Sequence, residues 1–257
     1  MSYFAGVDVG SGYTKAVILN GSLAVIGRGL THSGADFAAA AARARDEALA
    51  EAQLDAAELE GVVSTGYGRT NVSFATGTRT EIDCHARGAY HDLPQAITVV
   101  DIGGQDNKII RVDGGGRRID FTMNRKCAAG TGSFLEEIAF WLKIPLEDFS
   151  TLAEQSTDPS VSIGSYCTVF AKTEILAKIR EGVAATDLAR AALESVAKRV
   201  LESKVISGDV VLTGGVIAHV PKMQDILAAV LGATVLVPPF PQHTGALGAA
   251  LAAHRKA

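Results

Sequence analysis

Two stretches of this chain place the same reactive groups in the same order. They are VDVGSGYTKAVILNG, from Val7, and VDIGGQDNKIIRVDG, from Val100. Asp8 matches Asp101, Gly10 matches Gly103, Lys15 matches Lys108 and Gly21 matches Gly114, always at an offset of 93 residues. An aspartate at a strand end can hold hydrated Mg2+ and orient water, and glycines beside it let backbone N–H groups come close to an anion. Either copy alone reads more simply as a plain β-hairpin with convenient turn residues. The ungapped pairing reverses that preference. Two such hairpins facing each other form a clamp for a phosphate chain, with the turn amides on the phosphates and the two aspartates at its end. Lys15 and Lys108 fall on the second strand of each hairpin. Solvated charge is the plain reading of both; contact with phosphate is the alternative for Lys15. No G-x-x-x-x-G-K-[ST] occurs, which excludes the standard P-loop.

The second group able to do chemistry is a pair of thiols. The chain has three cysteines. In MNRKCAAGTGSF, Cys127 precedes the Gly130-Thr131-Gly132 turn, which opens an amphipathic helix. Cys167 stands 40 residues further on, also where a predicted helix starts. A helix N-terminus favours negative charge and lowers a thiol pKa, which suits a metal or cluster ligand. Cys84, in EIDCHARG, reads as a small buried hydrophobe, and no third partner is visible for a catalytic role of the adjacent His85. Two thiols cannot hold a cubane cluster, which takes four, but a twofold dimer supplies two from each chain. The count calls for a homodimer with one [4Fe-4S] cluster on its axis, or a heterodimer with a similar subunit. Zinc on the same four thiolates is the inorganic alternative.

These groups must be held by a fold, and the pattern around them is α/β. Each hairpin reads as strand, Gly-rich turn and strand, and IIRVDGGGRRIDF continues into a third strand. Residues 34 to 60 have helical periodicity, and GVVSTGYGR (61–69) reads as a buried strand and a turn. GSFLEEIAFWLKI puts Phe134, Ile138, Trp141 and Leu142 on one helical face. Further helices are read over TVFAKTEILAKIREG, TDLARAALESVAKRVLESK, VPKMQDILAAVLG and TGALGAALAAHRK, with strands in DVVLTGGV and ATVLVP. The expected architecture is two similar lobes, residues 1–95 and 96–257, with a cleft between them; the last helix, 244–256, is able to pack back on the first lobe. With 257 residues, 47% hydrophobic content and a net charge of −4, nothing points to nucleic acid or an anionic membrane. No signal peptide is expected from the residues around Asp8, and the longest apolar run, 227–240, is broken by Gly232, Pro238 and Pro239 and is too short to span a bilayer. A cytoplasmic location with reduced thiols is expected.

LTGGV supplies a third Gly-rich strand end, where Gly214-Gly215 would let backbone pass close to a base or ribose. DVGSGYTK, DIGGQD and LTGGV, in that order, resemble the actin, sugar-kinase and heat-shock-chaperone superfamily of ATPases. KCAAGTGSFLEEIA, CTVFAKTEI and PQHTGALGAALAA narrow the resemblance to the ATPases that activate 2-hydroxyacyl-CoA dehydratases and supply the ATP-binding subunits of benzoyl-CoA reductase. Gly12 and His243-Thr244 depart from that pattern, which more often has Thr or Ser and Tyr-Asn there. The resemblance implies the actin-like (ribonuclease H-like) fold with ATP in the cleft. It implies ATP and Mg2+ contacts from Gly10, Ser11, Gly12, Tyr13, Thr14, Lys15, Gly103, Gly104, Gln105, Asp106, Gly130, Thr131, Gly214, Gly215, Val216 and Gln242. Asp8, Asp101 and Gln105 would be catalytic, and Cys127 and Cys167 would ligate a [4Fe-4S] cluster shared across the dimer. The implied work is ATP-driven delivery of a low-potential electron, taken from ferredoxin or flavodoxin, to an iron–sulfur acyl-CoA dehydratase or reductase. A small-molecule kinase and a non-enzymatic ATP switch are the competing classes, and neither gives Cys127 and Cys167 a task.

Overall fold

The computed structural model describes residues 2–124, 128, 130–164, 167–202 and 206–254. The chain forms two compact units, Met1–Val99 with Ile110–Asp120 and Gln242–Ala257, and Val100–Ile109 with Phe121–Pro241.

The first unit is built on β1 (Tyr3–Val9), β2 (Tyr13–Asn20), β3 (Val25–His32), β4 (Leu59–Thr65) and β5 (Gly77–Thr78), in the order β3-β2-β1-β4-β5. β1, β2 and β3 run antiparallel in series, and β4 joins β1 in parallel. From Phe4 to Val9 every residue of β1 is buried, so the sheet is covered on both faces. Helix α1 (Phe37–Ala52) lays Ala41, Ala44 and Ala48 on Val7, Val9 and Ile18. Helix α9 (Thr244–His254) covers the other face, with Ala246 and Ala250 on Val17 and Leu19. It is apolar all round, as a helix buried on every side must be. Helix α2 (Glu81–Asp92) packs on α9 so closely that a Cβ on Gly248 would fall on the Cys84 carbonyl, and one on Gly88 on the Thr244 carbonyl.

The helical reading of 34–60 was too long. Asp36 caps the helix through its side chain and Ala39 N, Gln53 ends it in a left-handed conformation (φ 56°), and Leu59 already belongs to β4. β3 and α2 escaped the sequence pattern because glycine weakens both signals. Gly27 and Gly29 of β3 make room for the Ala48 and Ala44 carbonyls of α1, and Gly88 makes room for α9.

The second sheet has the order β10-β9-β6-β7-β8, from β6 (Ile97–Ile102), β7 (Asn107–Val112), β8 (Arg118–Asn124), β9 (Asp209–Thr213) and β10 (Val235–Leu236). Among the described residues, six helices belong to the second unit: α3 (Gly132–Leu142), α4 (Phe149–Glu154), α5 (Thr168–Arg180), α6 (Ala185–Glu202), α7 (Gly215–His219) and α8 (Lys222–Leu231). Its core joins Val100, Ile102 and Ile109 to Phe134, Phe149, Ile175, Leu188, Leu193 and Val196. The buried face of α3 is Phe134, Leu135, Ile138 and Ala139, rotated from the expected stripe. Trp141 is only half-buried; its Nε1 donates to Glu137 and its ring takes Lys172 Nζ at 4.0 Å.

Candidate functional site

The duplication extends from sequence to geometry. In the first hairpin Gly10 N donates to Tyr13 O (3.1 Å), and in the second Gly103 N donates to Asp106 O (2.9 Å). The tips, Ser11-Gly12 and Gly104-Gln105, are exposed. Carbonyls of each turn are tied down from behind. Ser33 donates from Oγ to Gly10 O (2.6 Å) and from N to Gly12 O (2.9 Å). In the second turn the first two residues of α3 take this part: Gly132 N donates to Gly103 O (2.9 Å), and Ser133 donates to Gly104 O from N (2.7 Å) and Oγ (2.6 Å). Anchored carbonyls hold a turn in one conformation, as an anion-binding nest requires.

Both aspartates end buried strands and pair with the lysine seven residues on. Lys15 Nζ lies 3.4 Å from Asp8 Oδ2, its strand-register partner. Lys108 Nζ lies 3.0 Å from Asp101 Oδ2 and 2.7 Å from Asp106 Oδ1. The Lys108 side chain is only 4% exposed and that of Lys15 15%, so neither is a solvated charge. In the first hairpin the register sets Lys15 directly across from Asp8. Thr213 Oγ1 donates to Asp101 Oδ1 (2.8 Å), so both carboxylate oxygens of Asp101 are engaged. Thr213 and Ser33 are fully buried, and neither was singled out from sequence.

Other expected contacts divide by burial. Tyr13 stacks on His32 at 4.3 Å, and the buried Thr14 hydroxyl shares a 2.9 Å hydrogen bond with Ser33 Oγ. Gly130 and Thr131 are buried beneath the second turn, where Asn107 Nδ2 donates to Gly130 O (3.2 Å). In LTGGV, Gly214 has φ 100° and packs on the backbone of Ile102, which no side chain would permit, while Gly215 opens α7 and Val216 is buried. Gln242 is also buried. Around Asp8, a Cβ on Gly245 would lie 2.9 Å from Asp8 Oδ2 and 3.0 Å from His85 Nε2. The buried His85 therefore sits within about 6 Å of Asp8, a neighbour its sequence position does not disclose. Burial pushes the Cys84 thiol up to about 12, which makes it inert. Burial, then Lys15 and Arg28, holds the His243 imidazole down at about 4, so it is neutral at pH 7.

Of the two thiols expected to bind a cluster, Cys127 lies outside the described residues. The helix after it begins at Gly132, so Thr131 and not Cys127 is the cap. Cys167 is exposed and is the N-cap residue of α5, its carbonyl accepting from Ala171 N at 2.8 Å. Beside it Val169 and Phe170, and on α3 Phe140, are exposed large apolar side chains. An exposed thiol at a helix start suits a soft, thiolate-ligated group. Among the described residues no three His, Cys, Asp or Glu side chains cluster as metal ligands, so these residues alone do not complete such a site.

Duplicated phosphate-type turns, a buried aspartate in each and a Gly-rich strand end define a two-lobe α/β ATPase of the actin-like type. The sequence profile of the BadF/BadG/BcrA/BcrD ATPase family matches residues 5–253, and the chain belongs to that family. It is 42% identical to the activator of lactoyl-CoA dehydratase from Anaerotignum propionicum, over 99% of this chain and 98% of the relative. The crystal structure of (R)-2-hydroxyglutaryl-CoA dehydratase component A from Acidaminococcus fermentans superposes with a TM-score of 0.94 at 37% identity, covering 100% of this chain and 99% of that one. The activator of 2-hydroxyisocaproyl-CoA dehydratase from Clostridium difficile, with bound ADPNP, gives 0.92 at 36% identity, covering 99% and 95%. A subunit of benzoyl-CoA reductase from Thauera aromatica is 31% identical over 98% of this chain and 93% of its own length.

Proposed function

We propose that this chain is the ATP-hydrolysing activator of a 2-hydroxyacyl-CoA dehydratase. The turns at 10–13 and 103–106 would hold the phosphates of ATP, and Asp8 and Asp101 would hold hydrated Mg2+ and orient the attacking water. Gln105, exposed at the tip of the second turn, would touch the γ-phosphate or that water. Cys127 and Cys167, with the same pair from a second copy, would hold a [4Fe-4S] cluster, which when bound supplies one low-potential electron. That electron would come from ferredoxin or flavodoxin and pass to the iron–sulfur dehydratase. The exposed Phe140, Val169 and Phe170 give the second copy an apolar surface to cover. We place the protein in the cytoplasm, where reduced thiols persist; among the described residues no helix is long and apolar enough to cross a membrane.

One observation carries the reading. The two turns are alike, but they are anchored differently: the first by Ser33, which follows a strand, and the second by the first two residues of α3. Any shift of the second turn as γ-phosphate is lost is transmitted to α3, whose start follows Cys127 by five residues. A kinase or a simple switch would leave Cys127 and Cys167 without a task. The higher identity to dehydratase activators favours them over the benzoyl-CoA reductase reading.

The test is reconstitution under anaerobic conditions with a purified 2-hydroxyacyl-CoA dehydratase and reduced ferredoxin or flavodoxin. Dehydration should require this protein, ATP and reductant together. Equal dehydration with a non-hydrolysable ATP analogue, or phosphorylation of a small molecule at the ATPase rate, would overturn the proposal.

A further inference from the structure

Between α4 and α5 the chain runs from Gln155 to Cys167, and its described part, up to Gly164, forms no helix or strand. Residues 155–164 have no regular backbone ladder of their own to hold them, and they lead toward Cys167, the proposed ligand. They are held by side chains projecting from α6. Oδ1 of Asp187, in the first turn of that helix, accepts from Ser156 Oγ (2.7 Å), Thr157 N (2.9 Å) and Asp158 N (3.0 Å). These donors hold the Asp187 carboxyl below the usual carboxylate range. Arg190 lies three residues further on. Its Nε donates to Ser156 Oγ (2.9 Å), its Nη2 to Asp158 O (3.0 Å) and Val161 O (2.6 Å), and its Nη1 pairs with Glu194 (2.6 Å). One planar fork thus joins two carbonyls of the segment to a carboxylate that fixes its orientation. At the far end Glu174 of α5 accepts from Gly164 N at 2.9 Å, three residues before Cys167. Ile163 is buried in the core beside Leu188, whose helix carries the clamp.

We propose that Asp187, Arg190 and Glu174 are positioning residues for Cys167, fixing the backbone so that its thiol meets the cluster at one geometry. The inference rests on the proposed cluster and goes beyond it, because it assigns the rigidity of the site to two residues of α6, which carries no proposed ligand, and to Glu174 of α5. Outer partners that orient a metal ligand typically change metal affinity by about 10–100-fold when removed. None of the three residues belongs to the nucleotide turns, so removing them should leave hydrolysis in place.

The test uses Arg190→Gln and, as a milder change, Glu174→Gln, both purified anaerobically with iron. Three quantities are read: iron release to an excess of chelator, amide hydrogen exchange at Thr157, Asp158 and Gly164 in the metal-free protein, and ATP hydrolysis. Arg190→Gln should release iron about 10-fold faster or more and raise exchange at those amides, with hydrolysis unchanged. Glu174→Gln should raise exchange at Gly164 alone, with a smaller gain in release rate. Release at the wild-type rate from an iron-bearing variant overturns the positioning role, as does faster release accompanied by equal loss of hydrolysis, which would mean general destabilisation. If Arg190→Gln does not fold, Glu174→Gln decides alone. Wild-type protein that never holds iron defeats the cluster reading instead, a distinguishable result.

Discussion

Replacing Asp101 by Asn keeps the shape of the side chain and removes its charge. The carboxylate is almost fully buried, with Thr213 Oγ1 on one oxygen and Lys108 Nζ on the other. Breaking a buried pair by removing one partner costs about 3–5 kcal/mol when the other charge is stranded. Lys108 is not stranded here, because Asp106 remains 2.7 Å away. The Asn carbonyl can still face Lys108, and the Thr213 hydroxyl can turn to accept from the new amide. The loss is then that of a charge-assisted hydrogen bond, about 1.5–3 kcal/mol. At about 2–4 °C per kcal/mol for a chain of this size, the melting temperature should fall by about 3–12 °C. A domain stable by about 5–15 kcal/mol stays folded at 25 °C after such a loss. Hydrolysis should fall much further, by about 10²–10³-fold in kcat, the usual effect of losing one preorganised group at a transition state. Phosphate release at saturating Mg·ATP, beside a thermal melt of the same sample, separates the two effects. A lowered melt with wild-type hydrolysis would refute the reasoning and reduce Asp101 to a structural anchor of β6, β7 and β9.

Other expectations follow from the same geometry. Gly248→Ala should lower the melting temperature by several degrees, since the new methyl lands on the Cys84 carbonyl and overpacking costs about 1–3 kcal/mol; Gly21→Ala, with only ordinary contacts, should be near neutral. The His243 imidazole is neutral in the fold down to about pH 4 but takes a proton near 6.5 when unfolded. Its contribution is therefore complete above pH 6.5 and is lost as pH falls toward 4, at up to about 1.4 kcal/mol per unit. Denaturant midpoints between pH 7 and 4 should show that slope, and His243→Gln should flatten it. Ser133→Ala removes one of two bonds from α3 to Gly104 O, worth about 0.5–1.5 kcal/mol. It should lower the electrons delivered per ATP hydrolysed more than it lowers hydrolysis; an unchanged ratio would mean that the turn and α3 are not mechanically coupled.

What the sequence disclosed was whatever repeats or alternates locally. The two hairpins were legible because four residues recur at one offset. LTGGV was legible as a strand running into a glycine turn, but the packing of Gly214 on the backbone of Ile102 was not. Burial of Lys15 was legible in principle, since a tight hairpin sets residue 15 across from residue 8. Ser33 was not legible: it reaches the first turn from beyond β3 and carries no motif. Thr213 was hidden for a similar reason, because its partner Asp101 lies 112 residues away and meets it only when β9 joins β6. His85 was set aside for want of a partner, and Asp8 becomes its neighbour only because Gly245 and α9 pack there. In each case tertiary packing creates a relation that no window of sequence contains.

The most direct test of the account is iron content, visible absorbance and sedimentation of anaerobically purified wild-type protein beside Cys127→Ser, Cys167→Ser and Cys84→Ser. The wild type should be brown, dimeric and carry four iron atoms per dimer, the cubane number. Cys127→Ser and Cys167→Ser should each lose iron and colour and weaken the dimer while still binding ATP, and Cys84→Ser should match the wild type. Full iron in both ligand variants, or loss of iron with Cys84→Ser, would contradict a cluster shared through Cys127 and Cys167.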